Sequence, residues 1–260
     1  MTARAGSPAV REAFAAVPRE RFLGPGPWKV RNALPGYSRT PDADPAHIYR
    51  DVLVALDAEA DINNGQPSLH AVSLAALDLR PGESVIRIGS GTGYYTAIIA
   101  ELVGPDGGVQ GWEVEPALAE IAVENLQDRP NVTVVPRSGT AGPLPEVDAV
   151  YVSAGATTPM RQWIDALRPH GRLLFPLVGS NGRGGMLLVA RYATGYGARF
   201  VCTAGFIPCA GAQNPHDAAA LDEAFRDSRG EVRSLRLDDT ADETAWAVGD
   251  GWWLSTAAID

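Results

Sequence analysis

The segment VIRIGSGTGYY, residues 85–95, narrows the possible folds more than any other part of the chain. Gly89, Gly91 and Gly93 alternate with Ser90 and Thr92 between an apolar run of strand type and a helix-type run that begins at Tyr94. Glycines at such a junction let a ligand lie against the backbone where a side chain would clash. Their spacing bears on which ligand. A dinucleotide fingerprint reads Gly-x-Gly-x-x-Gly and puts pyrophosphate on the helix N-terminus. Here the third glycine comes one residue early, and Tyr94 stands where that pattern wants glycine. An NAD-dependent oxidoreductase is therefore the weakest contender. Glu113 follows Gly89 by 24 residues and ends the next strand-like run. A carboxylate there can accept both ribose hydroxyls of an adenosine-type cofactor.

The flanking chain alternates in the same way. Strands are expected at 84–88, 109–113, 132–135, 148–152 and 172–176. Helices are expected from Tyr94 to about Val103, from Pro116 to about Leu126 and from Thr158-Pro159 to near Leu167. Strands separated by helices of about ten residues imply right-handed crossovers and a parallel sheet. Upstream, residues 8–23 begin as an amphipathic helix that Pro18 ends, and 24–47 read as an irregular arm. A second apolar pattern runs from Ile48 to Leu56. A helix opens at Gln66-Pro67 and closes at Arg80-Pro81-Gly82. Downstream, 186–192 and 199–207 form an antiparallel pair on the sheet edge. A helix at 217–225 and strands at 232–237 and 252–255 follow. The organisation expected is N-terminal helices, arm and loop over 1–80, a core over 81–207, and a C-terminal extension of the same domain over 208–260.

Composition removes several classes of function. The only lysine is Lys29, so there is no Gly-Lys-Ser/Thr for a P-loop, and a Schiff base would need an amine in a Pro/Gly-rich stretch. A net charge of −9 supplies no broad basic face for nucleic acid. Cys202 and Cys209 lie seven apart and the four histidines are scattered, which suits neither a disulfide framework nor structural zinc. Both cysteines read as small buried hydrophobes. No metal, no membrane span and no signal peptide are expected, and the chain reads as cytoplasmic. No Gly-x-Ser-x-Gly elbow argues for a hydrolase.

From Val10 to about Gly179 the chain resembles the protein-L-isoaspartate O-methyltransferase family of class I S-adenosylmethionine-dependent methyltransferases. The matching pieces, in the family's order, are VREAFAAVPRERFL, GQPSLHA, LRPGESVIRIGSGTGYYTAIIAELVG, VQGWEVEPALAEIAVENL, VDAVYVSAG and LRPHGRLLFPLVG. The resemblance implies an α/β fold with a doubly wound, mostly parallel seven-stranded Rossmann-like sheet, an antiparallel edge and extra N- and C-terminal elements. It implies S-adenosyl-L-methionine over Gly89, Ser90, Gly91, Thr92, Gly93 and Tyr94. The ribose would lie on Glu113 beside Val114, and the adenine near Ser138 and Gly139. The loop Asn63–Gln66 would cover the methyl group, with a peptide, protein or small-molecule acceptor as partner.

Three positions depart from that family. Arg87 replaces an acid two residues before the first glycine; it either opposes the cofactor's ammonium or points away to pair elsewhere. Ser138 replaces an acid of a Gly-Asp-Gly type turn and retains hydrogen-bonding capacity toward adenine. Gly65 falls where the acceptor loop normally carries a hydroxyl. Asn63, Asn64 and Gln66 could supply amide donors instead, or Asn-Asn-Gly could be a tight turn. His70, four residues after Gln66, either reaches the site or packs. One of Tyr94 and Tyr95 is expected in the core, the other against the cofactor. Trp112 fits either adenine or the sheet core, and of Trp252 and Trp253 one should face the core and the other an interface or substrate. The first hypothesis is methyl transfer to a carboxylate of a peptide or protein. The alternatives are another small-molecule nucleophile or a non-catalytic cofactor-binding module.

Overall fold

The computed structural model describes residues 7–31, 36–227 and 230–259. The chain forms two compact units, 1–137 and 138–260. Among the described residues no helix is long and apolar enough to cross a membrane.

The first unit opens with α1 (Pro8–Ala16), where Ser7 accepts from the Val10 N–H and Pro8 takes the first helical position. The arm expected to be irregular is partly strand. β1 (Lys29–Arg31) pairs antiparallel with β2 (Ser38–Arg39) and with β3 (Leu53–Asp57), and β3 also pairs with β4 (Ile62–Asn63). This small sheet has its own core of Trp28, Ile48, Val52 and Val54. Burying these four side chains overrides the poor strand propensity of a Pro/Gly-rich stretch.

Next comes α2 (Pro67–Leu77), ended by Asp78 in the left-handed region at φ 51°. The alternation then follows expectation: β5 (Ser84–Ile88), α3 (Tyr94–Val103), β6 (Gly108–Trp112), α4 (Pro116–Leu126) and β7 (Val132–Val135). β5, β6 and β7 pair in parallel. Glu113 lies one residue beyond β6, where the chain has left the sheet. Apart from Glu101 and Leu102, every residue of α3 is buried, and Phe14 of α1 packs edge-on to Tyr94 with ring centroids 6.3 Å apart.

The second unit holds β8 (Val147–Val152), α5 (Arg161–Asp165), β9 (Leu167–Val178), β10 (Arg183–Tyr192), β11 (Gly195–Gly205), α6 (Pro215–Asp227), β12 (Ser234–Leu237), β13 (Ala245–Gly249) and β14 (Trp252–Ser255). β8 and β9 are parallel, and from β9 onward the pairing is antiparallel in the order β9-β10-β11-β12-β14-β13. The β10–β11 pair is therefore not the edge, because the C-terminal segment adds three more strands. The helix expected over 158–167 shrinks to α5. Thr157 donates its N–H to the Ala212 carbonyl at 3.0 Å, and Leu167 is drawn into pairing with Val147. The turn expected at Pro169-His170-Gly171 is a bulge inside β9, where the register shifts between Val147–Leu167 and Ala149–Arg172.

Trp252 and Trp253 are both buried, so neither presents the exposed ring expected at an interface or substrate. The Trp252 indole N–H donates to the buried Asp217 carboxylate at 2.8 Å, and the other Asp217 oxygen accepts from the Asp250 N–H. That carboxylate ties α6 to the β13–β14 hairpin. Cys209 is buried, which pushes its thiol up to about 11, whereas Cys202 is only half-buried.

Candidate functional site

All three loop glycines adopt left-handed backbone, with φ of 74° at Gly89, 56° at Gly91 and 97° at Gly93. A side chain at Gly93 would strike Leu126, and one at Gly91 would crowd Leu56 at 3.2 Å. The turn is held at every residue. The Trp112 carbonyl accepts from the N–H groups of both Gly89 and Ser90, at 2.9 and 3.1 Å. Thr92 donates its hydroxyl to the Phe22 carbonyl at 2.6 Å, and its own carbonyl accepts from Asn125 at 3.0 Å. Arg87, buried in β5, turns toward the loop, donating to the Gly89 carbonyl with its guanidinium 5.7 Å from the Tyr95 ring centre.

Glu113 completes this loop. One carboxylate oxygen accepts from the Gly91 N–H at 2.6 Å; the other accepts from the N–H groups of Val114 and Glu115 at 2.9 and 3.0 Å. The group is 6% exposed, and its Oε2 lies on the backbone of the middle glycine. A carboxylate offers about four acceptor directions, so these three bonds leave capacity for a further donor. Val114, half exposed, presents an apolar side chain beside it. This donor and acceptor set fits the ribose of a nucleoside cofactor.

Ser90 and Thr92 are buried, and their side chains face the protein: the Ser90 hydroxyl lies against Gly111 of β6, and the Thr92 hydroxyl is spent on Phe22. Tyr94 and Tyr95 are both in the core, so neither flanks the loop as a free ring. Trp112 is buried too, with the Arg137 guanidinium 4.8 Å from its ring centre. Ser138 and Gly139 belong to the second unit. There the Ser138 hydroxyl shares a hydrogen bond with that of Thr140 at 2.8 Å, and the Gly139 carbonyl accepts from the Trp163 indole at 2.9 Å.

The loop from Asn63 to Gln66 is built differently. The Asn63 side-chain oxygen accepts from the Gly65 N–H at 2.9 Å, an Asx-type turn that delivers Gly65 at φ 80°. Asn64 is buried, its side-chain oxygen accepting from Arg19 Nε at 3.2 Å. Gln66 donates its amide to Asp51 at 2.7 Å, and Asp51 also accepts from the Ser68 N–H and hydroxyl. Asp51 thus caps α2 from a distance, since Gln66 offers no side-chain cap. Burial raises the Asp51 carboxyl, but the bonds from Ser68 and Gln66 outweigh it and hold the group below its usual value.

His70 is buried and stacks on Tyr95, with ring centroids 3.7 Å apart. The Tyr95 hydroxyl donates to the Gly65 carbonyl at 3.2 Å. A Cβ at residue 65 would collide with His70 Nε2. Gly65 is thus a requirement of the histidine packed behind it as well as of its left-handed backbone. Burial, and then the nearby Arg87 and Arg19 cations, push the imidazole well below its ordinary value and keep it neutral.

Sequence reasoning missed Arg19, Asp51, Leu56 and Gly111. Gly111 alone carried a signal: a small residue in a strand marks close approach, and here a Cβ would stand 3.3 Å from both Ser90 and Thr96. The other three act from segments far away in the chain.

Comparison with known proteins bears on the family and the fold. The family model of protein-L-isoaspartate(D-aspartate) O-methyltransferase matches residues 2–213. The chain is similar to the protein-L-isoaspartate O-methyltransferase of Ignicoccus hospitalis, with 30% identity over 76% of this chain and 87% of that one. Similarity to the Methanopyrus kandleri enzyme of the same name is 38% over 47% of this chain, but that match spans only 58% of the relative's length. Among solved structures, a protein-L-isoaspartate O-methyltransferase superposes over 97% of this chain and 84% of its own, with a TM-score of 0.65 at 22% identity. A Plasmodium falciparum protein assigned to the same activity, in complex with S-adenosyl-L-homocysteine, covers 79% of this chain and 92% of its own, with a TM-score of 0.63 at 21% identity. The fold is thus the Rossmann-like α/β fold of class I methyltransferases. The chain belongs to the protein-L-isoaspartate(D-aspartate) O-methyltransferase family, whose members use S-adenosylmethionine.

Proposed function

We propose that this chain transfers the methyl group of S-adenosylmethionine to a carboxylate of a peptide or protein, an isoaspartyl carboxylate first among them, in the cytoplasm. The observation that carries this reading is the Glu113 carboxylate held 2.6 Å from the Gly91 N–H within a turn of three left-handed glycines. S-adenosylmethionine, when bound, supplies an electrophilic methyl on a sulfonium. Glu113 accepts a ribose hydroxyl, and Val114 covers one side of the nucleoside.

The chain has little acid–base work to do. A carboxylate acceptor is already ionised near neutral pH, so no strong base is required. Alignment is the protein's main contribution, at about 7–11 kcal/mol for a well-oriented pair. Asn64 has its oxygen committed to Arg19, which leaves its Nδ2 hydrogens for an acceptor carboxylate. Asn63 and Gln66 shape the loop through Gly65 and Asp51. His70, neutral and packed on Tyr95, backs the loop.

The test is labelled methyl transfer to an isoaspartyl peptide, beside the aspartyl peptide and a blank without acceptor. Label on the isoaspartyl peptide alone is expected. Binding of S-adenosylmethionine with no labelled acceptor from any peptide pool would turn the chain into a cofactor-binding module.

A further inference from the structure

Arg19 is fully buried; its guanidinium meets uncharged oxygens and lies 5.9 Å from the Tyr94 ring centre. Nη1 donates to the carbonyls of Ile48 and Arg50 at 2.7 and 3.4 Å. Nη2 donates to those of Val52 and Gly65 at 3.0 and 3.3 Å, and Nε to the Asn64 side chain at 3.2 Å. Among the described residues no carboxylate pairs with it. Glu20 accepts from the Tyr49 hydroxyl, and Asp51 is engaged by Gln66 and Ser68. Fully buried charges are ordinarily paired. A buried arginine whose donors are satisfied while its charge is not is a site prepared for an anion.

Its contacts aim that charge. Two of the five go to Asn64 and Gly65, the centre of the acceptor loop. Arg19 Nε donates to the Asn64 oxygen, so the amide's Nδ2 hydrogens point away from the cation. The cation polarises the amide and makes those hydrogens stronger donors. The field also reaches the far side of the loop, where Arg19 and Arg87 both bear on His70.

We propose that Arg19 is the specificity-determining positioning residue of this site: acting through Asn64 and Gly65, it selects a carboxylate acceptor over its neutral carboxamide isostere. This rests on the reading that the acceptor is a carboxylate at residues 63–66. The charge survives without a partner inside the protein because the substrate is its partner.

The experiment measures binding of an isoaspartyl peptide and of the same peptide carrying the side-chain carboxamide, each with S-adenosyl-L-homocysteine present. Wild type, Arg19→Lys, Arg19→Gln and Asn64→Asp are compared. Wild type should prefer the carboxylate by about tenfold, the gap between a charge-assisted and a neutral hydrogen bond. Arg19→Gln should bring the ratio near one, whereas Arg19→Lys should keep the preference even where looser packing weakens both peptides. Asn64→Asp sets a carboxylate on Arg19 without changing shape; it should stay folded and lose the preference, which keeps the test decisive if Arg19→Gln does not fold.

A purely structural Arg19 would weaken both peptides equally. An unchanged ratio in Arg19→Gln, or in Asn64→Asp should the former not fold, overturns the proposal. Wild type that methylates the isoaspartyl peptide while Arg19→Gln keeps the ratio refutes only the role of Arg19. Wild type with neither methylation nor preference refutes the carboxylate reading, and this inference with it.

Discussion

The two loops of the first unit reach a fixed shape by opposite means. The glycine loop of residues 89–93 is held largely from within its own strand–helix–strand unit: the Trp112 carbonyl and the Glu113 carboxylate from the next strand end, and Arg87 from the strand before it. The loop of residues 63–66 is held mostly by side chains from other elements: Arg19, Asp51 and Tyr95. A loop fixed within one strand–helix–strand unit carries its meaning in a motif. A loop fixed by distant side chains can change its own residues, provided the residues behind it change too. Gly65 and His70 are such a pair.

The largest expected effect breaks the glycine loop. Gly91→Val puts a β-branched side chain at φ 56° and against Leu56. Calorimetry with S-adenosyl-L-homocysteine should find binding lost by a hundredfold or more, at roughly 3 kcal/mol of strain and steric exclusion. Circular dichroism should find the fold intact. Unaltered affinity would mean that the ligand does not lie on this turn. Next in size is Glu113→Ala, which removes the acceptor of three backbone N–H groups. Nucleoside affinity should fall by about 1–3 kcal/mol, and by less for Glu113→Gln.

Gly65→Ser sharpens the contrast, since it restores a hydroxyl in name only. The added atoms meet His70 Nε2 on left-handed backbone. Stability by denaturant titration should drop by about 1–3 kcal/mol with no gain in methyl transfer. A more active Gly65→Ser would show that the loop is not governed by the histidine behind it. Gly65→Ser combined with His70→Ala should recover part of the lost stability.

Asp51 gives the smallest effect. Asp51→Asn loosens Gln66 and the start of α2, with a loss near 1 kcal/mol, the usual scale for a helix cap. The folded carboxyl titrates below its unfolded value. Its stabilisation is therefore complete above the unfolded pKa and is lost as pH falls through the lowered folded one. The wild type should lose stability relative to Asp51→Asn only across that acidic window. A constant difference from pH 7 down to pH 2 would remove Asp51 from the loop's support.

Much of this was legible in the residues. β5, α3, α4 and β7 fall where periodicity puts them, because their apolar faces and turn residues agree with their burial. Elsewhere tertiary contacts won. β13 escaped the sequence reading because Ala245–Gly249 gains strand character only by pairing with β14. α5 lost residues to strand pairing, and β1 and β2 took theirs from an arm rich in Pro, Gly and Asp. The two tyrosines after the glycines looked divisible between core and ligand, yet both are core, because α1 closes over the ring side of α3.

The amino-acid order by itself determined the glycine turn and the carboxylate that closes it. Strand, three glycines, helix and a distal acid form a local pattern whose geometry follows from backbone stereochemistry and the length of one crossover. Only the tertiary structure decided how the neighbouring loop is armed. Asn63, Asn64, Gly65 and Gln66 say little until Arg19 is found buried behind them, Asp51 beside them and the His70 ring in the space that a side chain at 65 would fill. Electrostatic and steric influence travels through space, and no spacing along the chain encodes which distant residue will arrive there.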